Sequence, residues 1–151
     1  MSVSELSFTL RNDRAELVRM TDLLEDFCRR LGVSEDDLFN ARLCLDEAVI
    51  NVVVHGYEEA GEPAGTHAIN VSLVHEPGIL TIRIDDDGVA YNPLDAPAPR
   101  FDLPLEERGD GGLGVHIIKT LAHHVGYRRD GGRNHLTIEL ALGGSDNRPA
   151  H

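Results

Sequence analysis

The sequence predicts an α+β two-layer sandwich, with helices on one face of a mostly antiparallel sheet, and three observations carry that expectation. Segments of alternating apolar and polar residues follow one another in hairpin order, helical periodicity gathers before and after them, and strict βαβ alternation is absent. A length of 151 residues fits one domain able to bury a single substantial core. We place that domain at residues 1–142 and read residues 143–151, "GGSDNRPAH", as a flexible tail.

Each element has a local signature. "LSFTLRND" alternates as a short strand does, and "RAELVRMTDLLEDFCRRLG" then sets Leu17, Met20, Leu24, Phe27 and Leu31 on one helical face. Gly32 stands where a helix carboxyl end takes a left-handed residue. Ser34, with Asp37 three residues on, caps a second helix that runs to about His55, where Gly56 is expected to end it. "EEAGEPAGT" is a polar loop before "HAINVSLVH" and "ILTIRID", two strands joined through Glu76-Pro77-Gly78 as a hairpin. From Asn92 to Gly111 the chain holds four prolines and no sustained periodicity, which marks a long loop as a candidate lid. "GGLGVHIIKTLAHHV" reads as a short helix entered through glycines, "GYRRDGG" as a strand start and turn, and "HLTIELAL" as the last strand.

Charge narrows the partners. A formal charge of −12 at pH 7 argues against direct nucleic-acid binding or an anionic membrane surface and favours a basic protein partner. No charged-then-apolar leader and no bilayer-length apolar run are visible, so a cytoplasmic location is expected. Cys28 and Cys44 lack CxxC or Cys/His ligand spacing and read as reduced core residues, and the eight histidines show no metal-ligand spacing.

Three motifs carry chemistry. In "LCLDEAVINVVVHGYEE", Glu47, Asn51 and His55 recur every four residues, so a helix lines them up within about 40° per step on an otherwise apolar segment. They form either a satisfied internal polar network or a site in which the carboxylate is a general base and the amide oxygen a Mg²⁺ ligand. In "RIDDDGVAYNP", period-two alternation sets Asp86 at the end of the stripe Leu80, Ile82, Ile84. A carboxylate aimed at the core needs a donor, such as a purine amino group, and Gly88 lets a flat ligand approach the backbone. A solvated acidic turn or a cation site made from Asp85, Asp86 and Asp87 are the alternatives. In "GDGGLGVHIIK", Gly109, Gly111, Gly112 and Gly114 open a helix after the long loop, either as a phosphate cradle or as a flexible turn. Taken together, a base, a Mg²⁺ ligand, a ring-recognising acid and a phosphate cradle describe an ATP site.

From about Leu6 to Leu142 the sequence resembles the GHKL ATPase superfamily and, more narrowly, the bacterial anti-sigma-factor serine/threonine kinases. "DEAVINVVVHGY" is similar to the N box of that group, "IDDDGVAYNP" to its first glycine box and "GDGGLGVHIIKTL" to its second. The resemblance implies the Bergerat fold, with ATP between the helix layer and the lid. It implies Glu47 as the general base, Asn51 as the Mg²⁺ ligand, Asp86 as acceptor of the adenine amino group and Gly88 as the close-approach glycine. Gly111, Gly112, Leu113 and Gly114 would wrap the phosphates, and His55 would cap the polar stripe. Ala90 occupies the second-glycine position of its box among the nucleotide-binding residues, and Asn92 stands where an aspartate is common. Arg100 and Arg108 are the candidate basic lid residues, with Asp110 bringing negative charge close by. The implied partners are a sigma factor, a STAS-type anti-anti-sigma protein phosphorylated on serine, and a second copy of the chain as a homodimer. The alternative is an ATP-binding sequestering module with little or no kinase activity.

Overall fold

The structure, a computed structural model, describes residues 3–95 and 112–143. Strands β1 (Ser4–Arg11), β2 (Ala68–Glu76), β3 (Ile79–Asp86), β4 (His124–Asp130) and β5 (Arg133–Ala141) form one sheet in the order β1-β2-β3-β5-β4, every neighbouring pair antiparallel. Helices α1 (Glu16–Arg30), α2 (Glu35–Asn51) and α3 (Gly112–Leu121) complete the expected two-layer architecture.

The core forms where the inward residues of the sheet meet the helices. Ile69, Val71, Leu73, Leu80, Ile82, Ile84, Ile138 and Leu140 face Met20, Leu24 and Cys28 of α1 and Leu38, Ala41, Cys44, Leu45, Ala48 and Val49 of α2 in one buried cluster. Leu17 and Phe27 of the expected α1 stripe pack against it partly buried, and Cys28 takes the innermost place at the helix end. Both cysteines are free, and burial pushes their thiols up to about 11 for Cys28 and about 12 for Cys44, so they behave as small apolar side chains.

Caps and turns follow their chemistry. The Ser34 hydroxyl accepts the Asp37 N–H at 3.1 Å, and the hairpin between β2 and β3 turns on Gly78 at φ +83°. The chain after β5 stays attached, with the Gly143 N–H on Asp37 Oδ2 at 3.2 Å; the rest of the expected tail, residues 144–151, lies outside the described residues.

Two expectations are corrected. Helical winding does not stop at Gly56: a π-helical segment, Val52–Glu58, continues α2, with the Glu59 N–H reaching back to Val54 O at 2.9 Å. The left-handed glycine that follows it is Gly61, at φ +79°, while Gly56 has no positive φ and lies where the backbone of Gly88 meets it. Strand β4 begins at His124, two residues before "GYRRDGG", within the stretch expected to be helical, because His123 leaves α3 by donating its N–H to Glu139 O at 2.7 Å. Among the described residues no helix is long and apolar enough to cross a membrane, and no cluster of His, Cys, Asp and Glu could hold a metal ion.

Candidate functional site

Alternation along β3 delivers Asp86 to the inner face at the open end of the sheet, where it is 2% exposed. Its register partner on β5 is Asn134, also buried. Asp86 Oδ1 accepts the Asn134 Nδ2–H at 2.9 Å and the Gly88 N–H at 2.9 Å, and among the described residues no donor reaches Oδ2. Burial raises the Asp86 carboxyl above the usual range, and the two donors pull it part of the way back. One oxygen is thus committed to the fold, while the other remains an acceptor.

Asn134 is itself oriented. Its Oδ1 accepts from the Tyr127 hydroxyl at 2.5 Å and from Arg129 Nη1 at 3.1 Å, which leaves its amide nitrogen to donate to Asp86 and to Val89 O at 3.0 Å. An arginine only donates, so the amide orientation is fixed by chemistry. Arg129 Nη1 also holds Gly88 O at 2.8 Å. Asn134, Tyr127 and Arg129 escape the sequence reading, although Asn134 carries the signal that finds Asp86: a polar residue at the end of an inward apolar stripe, here Leu136, Ile138 and Leu140.

The turn after β3 is pressed against the π-helical segment. A Cβ built on Gly88 would lie 2.9 Å from both Gly56 Cα and Gly56 O, so the bare backbone of residue 88 is what lets the two segments touch, whereas a Cβ on Gly56 would meet nothing closer than 3.7 Å. The π winding leaves the Gly56 carbonyl to accept the Val89 N–H at 3.1 Å. Asp87 points away from the core, where its carboxylate accepts the Tyr57 hydroxyl at 2.7 Å and pairs with the His67 ring at 3.3 Å. Tyr57 is the main cause that holds the Asp87 carboxyl below its ordinary value. Asp85 faces the other side of the sheet and pairs with Arg133 at 3.1 Å and His135 at 3.3 Å. The three aspartates therefore do not converge on a cation.

A cavity opens above Asp86, lined by Ala48, Asn51, Val52 and Gly56 from the helix layer, Asp86, Val89, Tyr91 and Pro93 from the turn, Ile118 from α3, and Tyr127, Asn134 and Leu136 from the sheet. Apolar walls with an acceptor at the base suit a flat heteroaromatic ring carrying an amino group. Asn51 is buried, and its Nδ2 has no hydrogen-bond partner, so its amide is uncommitted. The atom that would ligate Mg²⁺ is Oδ1, which no donor among the described residues reaches, while the orphan Nδ2 can only donate; a bound ion would neutralise phosphate charge beside it. Glu47, one turn earlier, is half-buried and accepts no hydrogen bond from the described residues. A Cβ on Gly114 would overlap Glu47 Oε2, so the start of α3 reaches the carboxylate only because residue 114 has no side chain.

The remaining expected residues fall as follows. Ala90 is exposed, between Val89 and Tyr91, which line the cavity. Gly112 and Leu113 open α3, and Gly111, Gly109, Arg100, Arg108 and Asp110 lie outside the described residues, as does the candidate lid from residue 96 to 111. His55 stacks on Tyr91, its ring centroid 4.2 Å away and the planes 18° apart.

A sheet-end acceptor at the base of an apolar cavity, with an amide and a carboxylate on the overlying helix, is the layout that a nucleotide-binding ATPase domain requires. The histidine kinase-like ATPase domain family matches residues 10–140. Serine/threonine-protein kinase BtrW of Bordetella bronchiseptica is 35% identical over 100 residues, which cover 66% of this chain and 68% of that protein. Serine-protein kinase RsbW of Bacillus cereus is 27% identical over 132 residues, 85% of this chain and 78% of that one. Among solved structures, the SiaB–SiaC complex of Pseudomonas aeruginosa superposes with a TM-score of 0.61 at 14% identity, covering 91% of this chain and 89% of the other. The RsbU and RsbW domains of a Mycobacterium tuberculosis protein give 0.63 at 18% identity, covering 98% of this chain and 34% of that longer one. At such identities the structural likeness establishes the fold alone. The chain belongs to the histidine kinase-like ATPase family, among the serine/threonine-protein kinases typified by BtrW and RsbW. ATP binding goes with that membership.

Proposed function

We propose that this chain uses Mg²⁺-ATP to phosphorylate a serine on a STAS-type anti-anti-sigma protein in the cytoplasm and that it sequesters a sigma factor when that partner is phosphorylated. The observation that carries the catalytic part is a Glu47 carboxylate that accepts no hydrogen bond among the described residues, set against Gly114 at the start of α3 and one helical turn before Asn51, which lines the cavity above Asp86. In this reading Asp86 Oδ2 accepts the adenine amino group, and Gly112, Leu113 and Gly114 bring the amino end of α3 to the phosphates. Glu47 takes the proton of the serine hydroxyl as that oxygen bonds to the γ-phosphorus and the bond to the β-phosphate oxygen breaks, releasing ADP. Positioning and charge neutralisation supply most of the rate in phosphoryl transfer, so a short list of groups suffices. The relatives named as serine-protein kinases support the substrate class, and the formal charge of −12 suits basic partner surfaces.

The test is calorimetric titration with Mg²⁺-ATP, followed by transfer of labelled phosphate to a STAS protein encoded beside this gene. Wild type is expected to bind and transfer, and Glu47→Ala to bind without transferring. Binding without transfer by wild type would make the protein a nucleotide-gated sequestering partner, and loss of neither property in Glu47→Ala would remove Glu47 from the chemistry.

A further inference from the structure

Between Gly88 and Tyr91 the chain is laid along the π-helical segment through three successive contacts. Gly88 meets Gly56 backbone to backbone, the Val89 N–H is held by Gly56 O at 3.1 Å, and the Tyr91 ring lies flat on His55. Tyr91 and Val89 both line the cavity above Asp86, whereas His55 does not. On its far side His55 is held by Glu59, with Nδ1 2.9 Å from Oε1; a carboxylate only accepts, so that nitrogen carries the proton. The imidazole therefore stands behind the cavity wall, its ring plane set by Glu59 and its face occupied by Tyr91.

We infer that His55 is a positioning residue for nucleotide affinity: by stacking on Tyr91 it fixes the aromatic wall against which the base packs, and it takes no part in moving the phosphoryl group. This rests on the ATP site proposed above. Two aromatic rings in offset contact pre-order each other, so a ligand that needs Tyr91 in this place binds without first ordering it. Because the base is remote from the transferred phosphorus, loss of the stack removes binding that ground and transition states share, which raises KM and leaves kcat alone.

The experiment compares His55→Ala, Tyr91→Ala, the double variant and His55→Phe with wild type. It reads the ATP dissociation constant by calorimetry, the transfer rate at saturating ATP and the melting temperature without nucleotide. His55→Ala and Tyr91→Ala are each expected to weaken ATP binding by about three- to tenfold, with the double variant no weaker than Tyr91→Ala, and His55→Phe to restore most of the loss by stacking without titrating. The rate at saturating ATP and the melting temperature should hold. An unchanged dissociation constant in His55→Ala, a fall in the saturated rate, or additive losses in the double variant would each overturn the inference. Failure of wild type to bind ATP would instead remove the site reading. In that case nuclear Overhauser contacts between the His55 and Tyr91 rings in the nucleotide-free protein decide the stack alone, and their absence overturns it.

Discussion

The two faces of the sheet treat the same residue type in opposite ways. On the outer face Asp85 sits about a third exposed between Arg133 and His135, within a polar surface where Ser7 meets Ser72 at 3.3 Å and Thr9 meets Asn70 at 3.1 Å. On the inner face Asp86, its neighbour in sequence, closes an apolar stripe and, among the described residues, is bonded through one oxygen, to an amide and a backbone N–H. Pleating alone separates them. The outer carboxylate is paired with the Arg133 guanidinium within reach of water, so it contributes little to stability. The inner one costs stability and keeps an acceptor ready for a ligand. The proposed site lies where a carboxyl is buried with no ion-pair partner among the described residues.

The largest effect expected from that contrast belongs to Asp86→Asn. The amide oxygen can still accept from Gly88 and Asn134, but the second position becomes a donor facing the adenine amino group. ATP binding should fall by about 100-fold or more, consistent with rejection by a buried unpaired polar contact. The fold should gain: the folded carboxyl is raised above its unfolded value, so the native state is penalised as pH rises through that interval, and the full penalty stands at neutral pH. Melting curves of Asp86→Asn and wild type should therefore separate in the variant's favour at pH 7 and converge near pH 3 to 4, roughly the unfolded carboxylate range. A variant less stable than wild type at pH 7 would break the contrast between the faces.

Next in size is Gly88→Ala, which sharpens the contrast by moving the turn without altering any charge. Its methyl group would lie 2.9 Å from Gly56 Cα and O, both backbone atoms, so the turn must shift. A loss of about 1–3 kcal/mol on chemical denaturation is expected, together with weakened ATP binding. A smaller effect concerns the hinge between the faces, where His67 bridges Glu62 and Asp87, and Glu62 above all raises its imidazole. Its stabilisation is complete below the ordinary imidazole value and fades as pH rises through the raised one. The melting difference between wild type and His67→Gln should accordingly be greater at about pH 6 than at about pH 9, bracketing the ordinary imidazole value. Equal differences at both would show that the bridge carries no proton linkage. The smallest effect is Asp85→Asn, worth about 0.5 kcal/mol on denaturation and leaving ATP affinity unchanged.

Most of the architecture was legible because it rests on local rules. Alternation located β1, β2, β3 and β5, Ser34 and Gly32 marked the boundary between α1 and α2, and the inward place of Asp86 followed from counting along β3. What escaped was long-range or ambiguous. Asn134 becomes part of the socket through strand register, 48 residues from Asp86, and Tyr127 and Arg129 through pairing of the last two strands. Gly56 misled because a glycine after an apolar helical run reads as a left-handed stop, whereas its φ is not positive and the winding runs on past it, with the close-approach requirement falling on Gly88 opposite. Strand β4 was shortened because "HHV" continues the preceding apolar pattern, whereas a hydrogen bond to Glu139 turns it into the sheet.

The π-helical segment gives chain length a meaning of its own. Up to Asn51 the winding is that of an ordinary helix, and the wider turn that follows changes the angular phase of everything from Val52 to Glu58. Removing one residue from the run Val52–Val54 would let ordinary i→i+4 winding replace the wider i→i+5 turn and bring Gly56 round to nearly the angular position it now holds, so the wide turn is the device that absorbs one extra residue. The chain between Asn51 and Gly56 is thus one residue longer than an ordinary helix would use for the same advance, and the wide turn keeps the helical half of the site in phase with the strand turn despite that surplus.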